Sequence, residues 1–170
     1  SVLLATMGRE IDQGRLQRAL PRSGPLDPVG DGPERVWGDP DLGYVGRPEG
    51  GGVAGGFGVY PGPVRAVARR FGARLDDISR QSPEAVYQRL RRGRAVMAWV
   101  GLSAGPYVEW RSPQGRRVRV NIGEHTVVLH GIREDGSLLV SNPLERTREV
   151  WTREEFQAMW DLLGRRALAT

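Results

Sequence analysis

Cysteine is missing from all 170 residues. Its absence excludes a disulfide framework, a thiolate zinc site and a dithiol redox motif, and it leaves a thiol mechanism without its nucleophile inside these residues. Lysine is missing too, so the formal net charge of +5 at pH 7 rests on arginine. Genome composition explains an all-arginine set better than adaptation to heat, whose signal is Lys and Glu. The arginines are scattered and often alternate with acids. The densest runs, Arg89/Arg91/Arg92/Arg94 and Arg116/Arg117/Arg119, fall at a helix end and on a hairpin, and the helix dipole favours a cation at a C-terminus without any partner. No nucleic-acid partner is expected. No apolar run approaches the ~20 residues needed to cross a bilayer, so no membrane span is expected either. Ser1 to Met7 lacks the basic flank and small-residue cleavage site of a signal peptide and reads better as a helix end.

The length fits one domain, 1–170, with a proper core. Charged residues at 26% and hydrophobic ones at 39% fit a soluble globular chain rather than a disordered one. Val2 to Met7 predicts the last turns of an apolar helix closed by Gly8. Asp12 is the predicted cap of a short helix ending before Pro21. Glycine and proline concentrate between Arg22 and Gly62. A loop of that length is unusual, and we read it as functional, packed on the core through Trp37, Tyr44, Phe57 and Tyr60. Pro63 to Phe71 and the segment after Ser82-Pro83 show helical apolar spacing. Ala95 to Val100 is apolar throughout, as in a strand buried on both faces. Tyr107–Trp110 and Val118–Val120 flank a Pro113-Gln114-Gly115 turn as a hairpin. His125–Ile132 and Leu138–Val140 form a second hairpin. Thr152-x-x-Glu155 is a capping box that opens a helix, and Ala167–Ala169 is a last strand. Early helices, a mainly antiparallel sheet and one late helix make the class α+β.

The two histidines are His125 and His130. Histidine is the side chain that most readily carries protons near neutral pH. The turn after His125's strand brings Asn142-Pro143 back beside it, and an amide there can fix an imidazole tautomer. His130 should point to the opposite face, so a shared metal site is not expected. No third ligand stands at metal spacing, and no metal or other cofactor is expected. Gly50-Gly51-Gly52 lacks the Gly-Lys-Ser/Thr ending and the preceding strand of a phosphate loop. Most aromatics read as core and loop anchors. Trp99 and Tyr44, with Gly123 beside the histidine, are the candidates to line a groove for an extended peptide.

Several segments, in order, resemble the papain-like cysteine peptidases related to bacteriocin-leader processing enzymes, the Peptidase_C39_2 grouping. They are Asp39-Pro40 with Gly43-Tyr44-Val45-Gly46, Gly58-Val59-Tyr60 leading to Arg70-Phe71-Gly72, and Gly93 to Val100. They continue with Gly123 to Gly131, Val140-Ser141-Asn142-Pro143, and Trp151 with Glu155, Phe156 and Trp160. The resemblance implies a papain-like fold, a peptide or protein substrate, and His125 and Asn142 as catalytic base and orienter. It favours an extracellular or cell-surface location. Asn142 stands where the family usually has Asp. Aligned on Gly8, the family's cysteine falls roughly six positions before Ser1, with the oxyanion-stabilising Gln further upstream. Ser1 lies more than a helical turn too late to replace it. A peptidase domain truncated at its N-terminus, a non-catalytic peptide-binding or structural module, and a chain whose first helix is completed by a partner segment all remain open.

Overall fold

Because Ala95–Val100 carries no polar face, its strand needs neighbours on both edges and cover on both sides. The computed structural model describes residues 2–47, 55–143, 145 and 147–170. Ser1 and Gly50–Gly52 therefore lie outside the described residues. The N-terminal half holds α1 (Val2–Ala5), α2 (Gln13–Ala19), β1 (Val45–Gly46), β2 (Gly56–Gly58), α3 (Pro61–Arg70), β3 (Asp76–Asp77) and α4 (Pro83–Arg91). The C-terminal half holds β4 (Val96–Gly101), β5 (Tyr107–Arg111), β6 (Arg117–Asn121), β7 (Glu124–Ile132), β8 (Leu138–Asn142), β9 (Thr147–Trp151), α5 (Arg153–Asp161) and β10 (Ala167–Ala169). The class is α+β, with an antiparallel six-stranded sheet in the order β3-β10-β4-β7-β8-β9.

Strand alternation divides the core in two. Val96, Ala98 and Val100 of β4, with Val127 and Leu129 of β7, face α4 and α5. Trp99 and Val128 face the other way, toward Leu3 and Leu4 of α1. The capping box closes as its residue types require. Thr152 Oγ1 accepts from Glu155 N–H at 3.1 Å, and the Glu155 carboxylate accepts from Thr152 N–H at 2.7 Å. Asp12 caps α2 through Arg15 N–H. Ser82 precedes α4 but makes no side-chain cap bond. Four strands were not anticipated: β1 and β2, inside the segment read as a loop, β3, two residues long, and β9.

The described part of the glycine-rich segment packs on the hairpin β5–β6. Trp37 is fully buried, its ring 5.2 Å from that of Trp110. Phe57 meets Trp110 edge-on, and the Trp110 indole donates to Gly38 C=O at 2.6 Å. Any side chain at Gly38 would run into Ser23 C=O, so this crossing needs glycine. Asp39, 1% exposed, holds the turn. Its N–H donates to Ser23 Oγ at 2.8 Å, and its carboxylate accepts from Asp41 N–H and pairs with Arg116 Nε at 2.8 Å. Arg116 itself is half exposed, so the burial cost falls on the aspartate. Arg116→Met should strand a buried carboxylate and cost about 2–3 kcal/mol. Asp39→Asn, which keeps an acceptor for Asp41 N–H, should cost less. Equal shifts in urea midpoint for the two variants would show that the charge pairing contributes nothing.

Candidate active site

The β7–β8 hairpin pairs Val128 with Ser141 and Leu129 with Val140. Carrying that register toward the strand end sets Asn142 across from Val127. Alternation puts 125, 127 and 142 on one face, so His125 is the diagonal neighbour of Asn142, within side-chain reach. The two meet with His125 Nε2 2.8 Å from Asn142 Oδ1. Asn142 is buried and His125 half-buried. Among the described residues nothing bonds the other ring nitrogen, Nδ1.

Asn142 is held in turn from β9, which pairs Asn142 with Thr147 and Val140 with Glu149. Asn142 Nδ2 donates to Glu149 Oε1 at 2.8 Å. Thr147 Oγ1 donates to the same oxygen at 2.8 Å, and Trp151 Nε1 donates to Oε2 at 2.7 Å. The Thr147 hydrogen bond, opposed by slight burial and helped by Trp151, Asn142 and charge on His125, holds the Glu149 carboxyl below the usual carboxylate range. Sequence reasoning missed Glu149 because it missed β9. The signal available was Thr147-x-Glu149-x-Trp151, three polar-tipped residues at strand spacing.

The other nominated residues separate. Trp99 is 1% exposed and its indole N–H donates to Val59 C=O at 2.8 Å. It cannot offer a face to a peptide, and its groove role is corrected to that of a core anchor. Gly123 is half-buried, but its N–H donates to Asn121 Oδ1 at 2.7 Å and its C=O accepts from Leu102 N–H at 2.8 Å. Its main chain is therefore occupied and not presented for strand addition. Tyr44 is half-buried and lines an apolar cavity of about 470 Å³ with Leu3, Leu16, Val59, Thr126 and Pro143. Thr126 and Pro143 directly follow the two site residues, so the cavity reaches the same end of the sheet from its other face. His130 does point away from His125. Among the described residues its Nε2 is buried without a partner, and burial, then Arg148, pulls its pKa down. Among the described residues no three His, Cys, Asp or Glu side chains gather into a cation-binding group, and no helix is long and apolar enough to cross a membrane.

Glu124 precedes the histidine and points to the cavity side, beside Gly58, with Thr126 Oγ1 donating to it at 3.3 Å. Burial pushes its carboxyl up from 4.5 to about 7, against the Thr126 hydrogen bond. An acid whose folded pKa exceeds its unfolded value binds more protons when folded. Its contribution to stability is therefore largest below 4.5, falls as pH rises to about 7, and is flat above that. Glu124→Gln should gain stability relative to the parent between about pH 5 and pH 8. Urea midpoints of both proteins at each pH test this, and a parent–variant difference that does not change with pH would put the carboxyl in ordinary solvent.

The sequence profile described as the Peptidase_C39 like family, Peptidase_C39_2, matches residues 1–168. A crystal structure from Bacillus anthracis, described as that of a C39-like peptidase, is similar with a TM-score of 0.80 and 26% identity, covering 98% of this chain and 82% of that one. The uncharacterised protein YvpB of Bacillus subtilis (strain 168) is 29% identical over 137 residues, 77% of this chain and 52% of YvpB. The chain thus spans about half the length of the curated relative it matches. With the profile running from the first helix through the His125 strand to the last strand, the chain belongs to the Peptidase_C39 like family.

Proposed function

We propose that this chain carries the base and orienter of a cysteine peptidase domain, with the thiol supplied by residues upstream of Ser1. The observation that carries this reading is the 2.8 Å contact of His125 Nε2 with Asn142 Oδ1, which leaves Nδ1 for a nucleophile. In this reading Nδ1 takes the thiol proton, and the thiolate attacks a peptide carbonyl carbon, forming C–S while the carbonyl oxygen takes the electron pair. Collapse breaks C–N as the imidazolium returns its proton to the leaving amine. Water, deprotonated by Nδ1, then cleaves the thioester to a carboxylic acid and regenerates the thiol. Asn142 keeps the ring in plane throughout. Tyr44 and the cavity wall are the remaining candidates for substrate contact. The same open apolar cavity is what a further turn preceding α1 would need to pack against, whether from this chain or a partner.

A second reading is a peptide-binding or structural module without turnover, and the thiol-free inventory of the 170 residues favours it. Assay separates the two. Residues 1–170 alone should not hydrolyse peptides. The parent protein, extended upstream to a cysteine at the start of the first helix, should hydrolyse them and lose that activity on thiol alkylation. His125→Ala in the extended protein should lower kcat by about a thousandfold or more, and Asn142→Ala by less. A folded, extended protein that stays inert supports the module. Cleavage by residues 1–170 that disappears with His125→Ala would put the nucleophile on a hydroxyl and end the cysteine reading.

A further inference from the structure

An asparagine can hold an imidazole in two ways. Its carbonyl can accept from a ring N–H, or its NH2 can donate to a ring lone pair. The two ends are almost the same shape, so the ring alone does not choose between them. Here the far end chooses. Asn142 Nδ2 lies 2.8 Å from Glu149 Oε1, and a carboxylate only accepts. The amide must turn its NH2 toward Glu149 and its oxygen toward His125. That oxygen also only accepts, so Nε2, 2.8 Å away, carries the hydrogen and Nδ1 carries the lone pair. We propose that Glu149 is a positioning residue for His125, acting through Asn142 to lock the imidazole in the tautomer whose Nδ1 can take a proton.

Glu149 is itself fixed. Thr147 and Trp151 donate to its two oxygens, so the carboxylate cannot swing away from the amide without losing charge-assisted bonds. On the described strands beside His125, the charged side chain that bears on it is Glu149. β4 brings Val100 and Gly101, and β8 brings Ser141 and Asn142. On β7 itself Glu124 points to the opposite face beside Gly58. On β9, Arg148 pairs with Ser141, faces away, and bears on His130. The geometry also accounts for an amide at 142. An aspartate there would set two carboxylates at the 2.8 Å now spanned by an N–H···O bond, a like-charge contact that disfavours both ionised forms. Asn142 and Glu149 therefore depend on each other.

The lock deepens the peptidase reading, in which His125 is the base, but its test needs no turnover. The first arm is nitrogen-15 NMR of the two histidines, at a pH above histidine's ordinary titration range. The parent and Glu149→Gln, which keeps an acceptor, should show His125 with hydrogen on Nε2 and a slowly exchanging Nε2–H. Glu149→Ala removes the acceptor that orients the amide, and should lose that slow proton and raise the Nδ1–H form, while His130 stays unmoved as the internal reference. The second arm does not need Glu149→Ala to fold. Glu149→Gln should lower Tm in the parent, where its NH2 meets the Trp151 N–H, and its Tm shift in an Asn142→Asp background, where it relieves the carboxylate pair, should be more positive by about 3 °C or more. An unaltered His125 tautomer in folded Glu149→Ala, or equal Tm shifts in the two backgrounds, overturns the lock. An inert thiol-extended protein with both arms as expected would overturn the peptidase reading and leave the lock standing.

Discussion

The register of β7 against β8 is the constraint on which the site depends. Because side chains alternate every residue, a slip by one would turn Asn142 away from His125 and also drive Leu138 and Val140 out of their core. Val127, Leu129, Leu138 and Val140 are all fully buried on that face. Burying each contributes about 1.5–3 kcal/mol, against about 1 kcal/mol for one neutral hydrogen bond. Apolar packing against α4 and α5 therefore sets the register, and the His125–Asn142 contact follows from it. The irregularity in the pairing falls between Leu129 and Gly131, beyond the site, where it does not disturb the diagonal.

The same alternation separates the two halves of the chemistry. His125, Asn142 and Glu149 share the face that packs on α4 and α5, whereas α1, Thr126, Pro143 and the apolar cavity lie on the other. In the proposed reading, a thiol from a segment continuing α1 backward would come round the end of β7, where Glu124 and His125 pair with the last residues of β4. Among the described residues, the nitrogen left unbonded at that end is Nδ1. A mechanism that used Nε2 would first have to break the bond to Asn142 and, with it, the hold of Glu149.

Much of this was legible in the sequence because it rests on local chemistry. The capping box at Thr152, the apolar run of β4, the Gly115 turn and the pairing of His125 with Asn142 each follow from residue type and spacing. What was not legible has a physical reason. β9 turns Thr147, Glu149 and Trp151 toward the sheet face and leaves Arg148 and Val150 outward. Its inner face is polar-tipped because it holds Asn142, so the apolar alternation that announces a strand is absent where the strand serves the site. The acidic pair Asp76–Asp77 joins the sheet edge with no apolar pattern of its own.

Trp99 shows how one residue can satisfy two sequence readings and only one structure. Ordering a long glycine-rich segment costs about 1–2 kcal/mol per residue in backbone entropy alone, so it needs buried anchors along its length. Trp37, near its middle, and Phe57 supply two of them through Trp110. Two residues past Phe57 a further anchor is the Trp99 indole, whose N–H is bonded to Val59 C=O. That bond is what sets Val59 into the cavity wall beside Tyr44. Exposing Trp99 would leave a main-chain carbonyl without its donor and loosen the cavity wall. Tyr44, which the segment carries, keeps its place in that wall because Trp99 holds the segment there.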